Sequence, residues 1–445
     1  MILRLIVENF ASFKDAVEFN TFPSSKSQSH NNHKVKCGHA TVLRLGAIYG
    51  ANGAGKSNLL SALGLLCQLV RQESLQKVSI GDDITFKFDS KCANTPSGIA
   101  LEYCYNNNNV FYYHIEFYKD RIVLEELFLS KTNRDELLLK HDENGLYISK
   151  DCFSNGYNDQ FADGLSRLVR SDMLALSFVG RLYANEFPAI ANAYAWFVNK
   201  LRIVLPDATP GFIPHFLDTD NEFKKLVNAT IKEMNTGISQ LNVKIDPIDE
   251  DAIKQNSYLS AAISAAKQYP GMPQPLFGLK RGDIANVVFM NGQLVLKTLV
   301  ALHVDASGTE TEVPIYLESD GTRRIIEYMP LLYTITQENS VYVVDEIERS
   351  IHPILIKAIV SKLSEMSGTM GQLIFTTHES ALLDQNIFRP DEIWFAQKDI
   401  EQATQLYPLS DFNVHKTANI ENGYLNGRYG AIPFLSNLKD LKTQN

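Results

Sequence analysis

The sequence has few cysteines, no excess of basic residues and no long apolar run. Its 445 residues include 5 cysteines, none of them in a C-x-x-C pair, which argues against a disulfide framework. The 42 Lys and Arg residues are outnumbered by 51 Asp and Glu residues, and the net charge of −9 argues against a nucleic-acid binder that is basic over its whole surface. No apolar run is long enough to cross a bilayer. We therefore expect a reduced, soluble, cytoplasmic protein with no membrane partner.

The two ends of the chain alternate between short strands and helices. The runs TVLRLGAIYG and SVYVVDE, which end at Gly50 and Glu346, are typical of buried strands. The run KSNLLSALGLLCQLVRQ, which begins at Lys56, has its apolar residues at helical spacing. We therefore predict an α/β fold whose core is assembled from residues 1–83 and 279–445.

The middle of the chain, residues 84–278, reads as an insertion into this core. It begins with strand-like runs on either side of residues 106–109, four asparagines that predict a hairpin tip. From about residue 159 to residue 268 the apolar spacing becomes helical, as in YAWFVNKLRIVL. The insertion is therefore expected to contain a β part followed by a helical part.

Residues 50–57, GANGAGKS, match the pattern G-x-x-x-x-G-K-[ST]. The glycines let backbone N–H groups point at phosphate oxygens, and the helix that follows adds its dipole. Lys56 is expected to reach the β- and γ-phosphates of ATP, and Ser57 to bind Mg²⁺. A chance match is disfavoured because a predicted strand precedes the loop and a predicted helix follows it. The residues predicted to bind the nucleotide in this loop are Asn52, Gly53, Ala54, Gly55, Lys56, Ser57 and Asn58.

Asp345 and Glu346 end the apolar run SVYVV. Two carboxylates at the end of a buried strand are costly unless they face a metal or water. We assign Asp345 as a Mg²⁺ ligand and Glu346 as the general base that orients the attacking water; the competing interpretation, an acidic loop, is weakened by the phosphate loop upstream. A catalytic role and a solvated acid at a helix N-terminus explain Glu348 equally well. His378, which ends the apolar run LIFTT, is a candidate contact for the γ-phosphate.

The stretch SDGT at residues 319–322 directly precedes a predicted helix. Taken alone, Ser319 is only a helix cap. Because the stretch lies just ahead of the acidic strand and follows a long insertion, Ser319 and Gly321 are also a candidate anion site.

The set NFASF, GANGAGKSN, SDGTRR, VVDEIERSIHP and FTTH resembles ABC-type ATPases of the SMC and RecF kind. It resembles more closely the OLD-like AAA ATPases of bacterial anti-phage systems, including those of the PARIS kind. The resemblance implies an ABC-type P-loop ATPase head with ATP and Mg²⁺ as cofactors, and two protomers that face head to tail. Ser319 and Gly321 of one chain would then complete the phosphate site begun by Lys56 of the other. The implied catalytic residues are Lys56, Glu346 and His378.

The resemblance also implies a function. The chain would be a slow ATPase without nuclease activity of its own, in a homodimer or a larger homo-oligomer. It would hold a separate toxic effector, such as a Toprim-type nuclease, and release that effector when a phage-encoded trigger protein binds.

Two other functions stay open at this point. One is a RecF-like DNA-repair ATPase that binds DNA directly. It needs a basic face, for which Lys200, Arg202, Lys280 and Arg281 are candidates, although ordinary solvated surface explains these residues equally well. The other is a nucleotide-locked scaffold with negligible turnover.

Three features depart from the ABC pattern. The glutamine loop cannot be located, and the region 86–88 is the candidate for its place. Pro330 lies in the helix after SDGT and is expected to kink it. No sustained heptad predicts a coiled-coil arm.

Two further segments have open interpretations. His30, His33, Cys37 and His39 are zinc-competent, but their spacing fits no familiar structural pattern and favours a polar loop. The stretch NIENGYLNGRYGAIPFL near the end is either an extended arm that packs on a neighbour or a strand that closes the core.

Overall fold

The fold is described from a computed structural model. Two compact units are present: the first comprises Met1–Leu205, Ile335–Ile347 and Ile359–Asn445, and the second comprises Pro206–Thr334 and Glu348–Ala358. The structure describes residues 1–81, 84–206, 211–234, 236–248, 257–276, 283–366, 371–415 and 418–432. None of the helices within those ranges is long and apolar enough to cross a membrane.

The elements are numbered in chain order. The strands are β1 (Ile2–Glu8), β2 (Val17–Asn20), β3 (Lys34–Cys37), β4 (Ala40–Leu43), β5 (Leu45–Tyr49), β6 (Ser97–Tyr105), β7 (Asn109–Phe117), β8 (Ile122–Ser130), β9 (Glu136–Asp142), β10 (Gly145–Ile148), β11 (Leu201–Val204), β12 (Gln240–Pro247), β13 (Gln274–Pro275), β14 (Ala285–Met290), β15 (Gln293–Val304), β16 (Glu310–Pro314), β17 (Val341–Val344), β18 (Gln372–Thr377), β19 (Ile393–Lys398) and β20 (Thr404–Pro408). The helices are α1 (Lys56–Gln72), α2 (Asp159–Leu168), α3 (Ala175–Leu182), α4 (Pro188–Asn199), α5 (Ile213–Thr219), α6 (Asn221–Glu233), α7 (Ser257–Gln268), α8 (Asp320–Glu327), α9 (Met329–Gln337), α10 (Pro353–Glu365) and α11 (Ile420–Leu425).

The first unit contains a 6-stranded sheet in the order β11-β17-β18-β5-β19-β20. All its neighbouring pairs are parallel except β19 and β20. Every residue of β5, β17 and β18 is buried, as expected for parallel strands that are covered on both faces. Because β5, β17 and β18 are parallel neighbours, their carboxyl ends meet at one edge of the sheet, where ligands bind in open α/β folds. The α/β fold class predicted from the sequence is confirmed.

A second sheet of the first unit has 7 strands in the order β10-β9-β8-β7-β6-β1-β2. The strands that were read as the start of the insertion therefore pair with the N-terminal strand β1. Asn106 and Asn107 join β6 to β7 with φ of 51° and 61°, the left-handed backbone that a tight hairpin needs. The hairpin predicted at residues 106–109 is confirmed. Trp196 of α4 is fully buried against Tyr103 of β6, with ring centroids 4.4 Å apart.

The second unit contains a 5-stranded antiparallel sheet in the order β12-β15-β14-β13, with β16 paired to β15. One apolar cluster of this unit joins α7 to β14, through Ala262, Ile263, Ala266 and Val287. Helices α5, α6 and α8 belong to the same unit.

Two predictions of local structure were wrong. Residues 201–204 were read as the end of a helix, but α4 stops at Asn199 and Leu201–Val204 form the strand β11, parallel to β17. Three of these four residues are apolar, and so short an apolar run suits a strand as well as a helix, so spacing alone could not separate the two. Residues 34–37 were read as loop, but they form β3, which pairs with β4.

The helix that was predicted to kink at Pro330 is divided into two helices next to this residue. Helix α8 ends at Glu327, and α9 begins at Met329. Pro330 has no N–H and its ring clashes with the carbonyl four residues earlier, so it is tolerated only in the first turn of a helix. The break at Tyr328 puts Pro330 in the first turn of α9.

Candidate nucleotide-binding site

The phosphate loop runs from the end of β5 to the start of α1, as the sequence predicted. Gly53 and Gly55 have φ of 77° and 103°, a conformation that L side chains rarely adopt. A Cβ added to Gly55 would lie 2.1 Å from the Thr404 hydroxyl, so this position has no room for a side chain. Gly55 is also the N-cap of α1, and it therefore leaves the first N–H groups of the helix uncovered by a capping side chain.

Lys56 is folded into the loop. Its side chain is buried, and Nζ donates to the carbonyls of Gly50 at 2.8 Å and Ala51 at 3.2 Å. The same nitrogen lies 3.4 Å from Nδ1 of His378, an exposed residue that follows β18. The structure thus brings His378 to the phosphate loop.

Ser57, in the first turn of α1, contacts Asp345, which directly follows β17. Ser57 Oγ donates to Asp345 Oδ1 over 3.2 Å, and Thr376 Oγ1 donates to the same carboxylate oxygen. Asp345 is 4% exposed, and its backbone N–H donates to the Val204 carbonyl. A hydroxyl and a carboxylate at this distance are the hard oxygen donors that Mg²⁺ prefers, so these two side chains fit the ion. Thr376 was missed by sequence reasoning, although the FTTH stretch contained it.

Glu346 follows Asp345 with a φ of 50°, in the left-handed region. Its N–H donates to Thr376 Oγ1 at 2.8 Å, and the next residue, Ile347, donates to the Thr376 carbonyl at 3.1 Å. A non-glycine residue held in this region costs about 1–3 kcal/mol, and such residues cluster at functional sites. Thr376 therefore fixes the backbone on both sides of the glutamate side chain.

A cavity of about 880 Å³ lies beside the phosphate loop. The residues that line it include 50–54, His378, Tyr424, Leu425 and Ile432. Its volume lies within the about 300–1,000 Å³ that is usual for ligand pockets. The C-terminal segment therefore contributes to the wall of this cavity.

This segment is neither an extended arm nor a strand over its described part, in contrast to both interpretations from the sequence. Residues 420–425 form α11, and the Tyr424 ring stacks on Phe395 of β19 with centroids 5.7 Å apart. Tyr407 donates its hydroxyl hydrogen to the Tyr429 carbonyl at 2.9 Å. Burial raises the pKa of both Tyr424 and Tyr407. Residues 433–435 of the same stretch lie outside the described residues.

Ser12 and Thr404 hold the phosphate loop and were not predicted. Thr404 Oγ1 donates to the Ala54 carbonyl at 2.9 Å, and its N–H donates to the Ser12 carbonyl at 2.8 Å. Asn58 donates from Nδ2 to Ser12 Oγ at 2.8 Å. Ser12 lies in the NFASF stretch, which was the available signal, whereas Thr404 lies in no motif.

The SDGT stretch belongs to the second unit. Ser319 is the N-cap of α8, and its Oγ accepts a hydrogen bond from the Thr322 N–H at 3.1 Å. A Cβ on Gly321 would lie 2.6 Å from the Ser350 carbonyl, so a side chain is excluded there. The stretch after Glu346 thus touches the SDGT turn within this unit.

The charges around SDGT are paired within the second unit. Arg323 bonds Asp320, and Arg324 Nη1 donates to Glu327 at 3.0 Å. Burial raises the pKa of Glu327, and the bond from Arg324 opposes this shift. The two arginines therefore have partners within their own helix.

The histidine-rich loop has structural contacts. His33 is fully buried, with Nδ1 2.9 Å from Glu392 and Nε2 3.0 Å from the Ser364 carbonyl. Burial raises the pKa of Glu392. His30 lies 2.8 Å from the Gln385 carbonyl and stacks on His33. These contacts hold the loop against other segments of the first unit.

The other two candidate zinc ligands lie in the β3–β4 hairpin. Cys37 is buried, whereas His39 is exposed. Over the described ranges, no three His, Cys, Asp or Glu side chains gather closely enough to hold a metal ion. The loop is thus explained by packing.

Comparison with known proteins gives the family. The sequence matches the family described as "AAA domain, putative AbiEii toxin, Type IV TA system" over residues 46–384. No curated protein matches. Solved structures that are similar to this chain include three SMC heads. One is an SMC head bound to the C-terminal winged-helix domain of ScpA, with 15% identity over 92% of this chain and 97% of that one and a TM-score of 0.41. Another is the SMC head domain from Thermotoga maritima, with 12% identity, 92% and 98% coverage and a TM-score of 0.35. The third is the Pyrococcus furiosus SMC head with an extended coiled coil bound to the C-terminal domain of ScpA, with 14% identity, 96% and 98% coverage and a TM-score of 0.41. The family match spans well over half of the chain, which therefore belongs to this AAA family.

Proposed function

We propose that this chain is a Mg²⁺-dependent ATPase whose nucleotide state controls a toxic effector in an anti-phage defence system of the PARIS kind. The observation that carries the ATPase part is the meeting of Ser57 with Asp345 beside the phosphate loop. The family description, which names a toxin and a toxin–antitoxin system, supports the defence part.

The chemistry follows from the positions of the side chains. Lys56 moves from the loop carbonyls to the β- and γ-phosphates when ATP enters, because phosphate oxygens are the stronger acceptors. Ser57 and Asp345 would hold Mg²⁺, which would supply positive charge beside the phosphates. Glu346 takes a proton from the attacking water, and His378 donates to the γ-phosphate. The backbone contacts of Glu346 to Thr376 keep its carboxylate oriented for that water.

Ser319 and Gly321 act on the ATP of a second copy of the chain. Ser319 caps a helix whose N-terminus is a suitable anion site, and Gly321, in the first turn of that helix, has no side chain to keep phosphates away from it. ATP then lies between two protomers, and its hydrolysis opens them. The chain works as a homodimer or as a higher homo-oligomer in the cytoplasm.

The effector is a separate protein, a nuclease or another toxin. The assembled, ATP-bound form holds it inactive, and a phage-encoded trigger protein releases it. The cycle is slow, because such a switch must remain in one state until the trigger arrives. The chain itself has no nuclease activity in this scheme.

The test is a pull-down of tagged Glu346→Gln protein from cells that keep the neighbouring genes, followed by mass spectrometry. A nuclease or other toxin in fixed proportion is the expected result. DNA and repair proteins without a dedicated partner would contradict the proposal and indicate the RecF-like alternative. That alternative also predicts DNA binding that falls steeply with salt.

The basic residues considered for a DNA-binding face give little support to the RecF-like function. Arg202 donates to the carbonyls of Val198 and Leu201 in its own segment. Lys280 and Arg281 lie outside the described residues. DNA binding therefore enters only as an outcome of the test.

A further inference from the structure

A second opening, of about 450 Å³, lies in the first unit next to the start of α1. Phe88 is 67% exposed there, although an aromatic ring of this size is usually covered. The residues that line the opening are Ala11, Ser12, Asn58, Lys87, Phe88 and Lys398.

The exposed Phe88 ring belongs to a segment that is held in place by Phe86. Phe86 is 1% exposed, and its N–H donates to Asn9 Oδ1 at 3.1 Å. The Phe86 and Phe88 rings meet at an angle of 61°, with centroids 5.7 Å apart. Lys398 Nζ lies 5.8 Å from the Phe88 centroid. The ring is therefore supported by its neighbours while two-thirds of its surface stays open.

The phosphate loop sets the direction in which a bound nucleotide extends. Lys56 and Ser57 serve the β- and γ-phosphates, so the α-phosphate lies by the next residue of the helix, Asn58. Asn58 is held by Ser12, and both residues line the opening that contains Phe88. The nucleoside therefore leaves the loop towards this ring.

The charge at the opening suits the same ligand. Lys87 and Lys398 both line it, in a chain whose net charge is −9. The nearby carboxylates of Asp89 and Glu401 are both paired with Lys14, at 3.1 Å and 2.8 Å. Local positive charge raises the concentration of an anionic ligand such as a nucleoside triphosphate.

We propose that Phe88 is the platform on which the base of the bound nucleotide stacks, with Lys87 and Lys398 beside its ribose and α-phosphate. This inference rests on the proposed function, since it needs ATP in the phosphate loop. Stacking on an aromatic ring accepts any base, because every base has a π-face. The ligand class is therefore a nucleoside triphosphate, and the ring itself does not select adenine over another base.

The test compares ATP with inorganic tripolyphosphate, which has the phosphates but no base. Loss of one base–aromatic stack by alanine substitution weakens binding by about 5- to 150-fold. We therefore expect Phe88→Ala to raise the Kd for ATP by such a factor in isothermal titration calorimetry. Its Kd for tripolyphosphate should be unchanged, and Phe88→Trp should bind ATP as tightly as the wild type.

Tyr147→Ala is the matched control, because Tyr147 is an exposed aromatic on β10, and it should leave both constants unchanged. Equal ATP affinity in Phe88→Ala and the wild type would overturn the proposal for Phe88 alone. An equal loss of ATP and tripolyphosphate binding would overturn it too, since the effect would then not depend on the base. If the wild type binds neither ligand, the proposed function itself fails.

Discussion

Ser57 Oγ and Asp345 Oδ1 are joined by a hydrogen bond of 3.2 Å, although 288 positions separate the two residues in the chain. The contact exists because β5 and β17 both pair with β18 in parallel, so the segments that follow them start at one edge of the sheet. Thr376, in β18 itself, bonds the same carboxylate from between them. The residues proposed to bind Mg²⁺ and to act as general base are thus brought together by three adjacent strands rather than by any single loop.

Lys56→Ala is expected to weaken nucleotide binding strongly. Charge-assisted bonds of this kind contribute about 1.5–3 kcal/mol each, so the Kd for ATP should rise by at least about 10-fold. Equilibrium dialysis with labelled ATP measures it. Lys225→Ala is the control, since Lys225 is 74% exposed and pairs only at the surface. An unchanged Kd in Lys56→Ala would remove this lysine from the site.

Glu346→Gln is expected to bind ATP but to hydrolyse it about 10²- to 10⁴-fold more slowly, because a general base contributes this much. The bound ATP should hold two protomers together, which light scattering after size exclusion detects as a doubled mass. Glu222→Gln is the control, since Glu222 is 72% exposed and pairs with Lys225 at the surface, and it should keep normal turnover. Hydrolysis at the wild-type rate by Glu346→Gln would show that another group activates the water.

Local sequence motifs predicted those parts of the site in which neighbouring residues of the chain contact the same ligand. The phosphate loop has this property, because successive N–H groups must face one phosphate chain, and its helix began at Lys56 as predicted. The positions of Asp345 and His378 were recognisable because a carboxylate and an imidazole directly follow runs rich in apolar residues.

Contacts between segments that are far apart in the chain could not be predicted from local motifs. Thr404 supports the loop carbonyl of Ala54 from a strand with no motif, and nothing in the residues around it signals that role. The strand Leu201–Val204 exists because β17 offers it a parallel partner far along the chain. Tertiary pairing, rather than local spacing, decides such segments.

Ser319→Arg is expected to leave ATP binding by a single chain intact and to block turnover. The arginine would occupy the place where the γ-phosphate of the partner protomer's ATP must fit. Ser260→Arg, an exposed position on α7 of the same unit, is the control and should turn over normally. The turnover of both variants is measured as the rate of phosphate release from ATP.

Mixing two inactive variants tests sharing of the site directly. A heterodimer of Lys56→Ala and Ser319→Arg contains one site with both an intact phosphate loop and an intact SDGT stretch. The mixture should therefore regain turnover that neither protein has alone. Normal turnover of Ser319→Arg by itself would rule out a shared site.

Arg389→Met is expected to destabilise the first unit strongly. The guanidinium is fully buried, bonds both oxygens of Asp391 at 2.8 Å and 2.7 Å, and also donates to the carbonyls of Ser27 and Ser29. Removing it leaves the Asp391 carboxylate buried without its ion-pair partner, which costs about 3–5 kcal/mol in free energy of unfolding. Urea titration followed by circular dichroism gives this value.

The double variant Arg389→Met with Asp391→Leu separates the lost ion pair from the lost packing of the arginine. It should recover most of the stability, because no unpaired charge remains buried in it. Glu222→Gln is the surface control: its pair with Lys225 is 72% and 74% exposed, and the change should cost no more than about 1 kcal/mol. If Arg389→Met costs as little as this control, the buried pair does not stabilise the first unit.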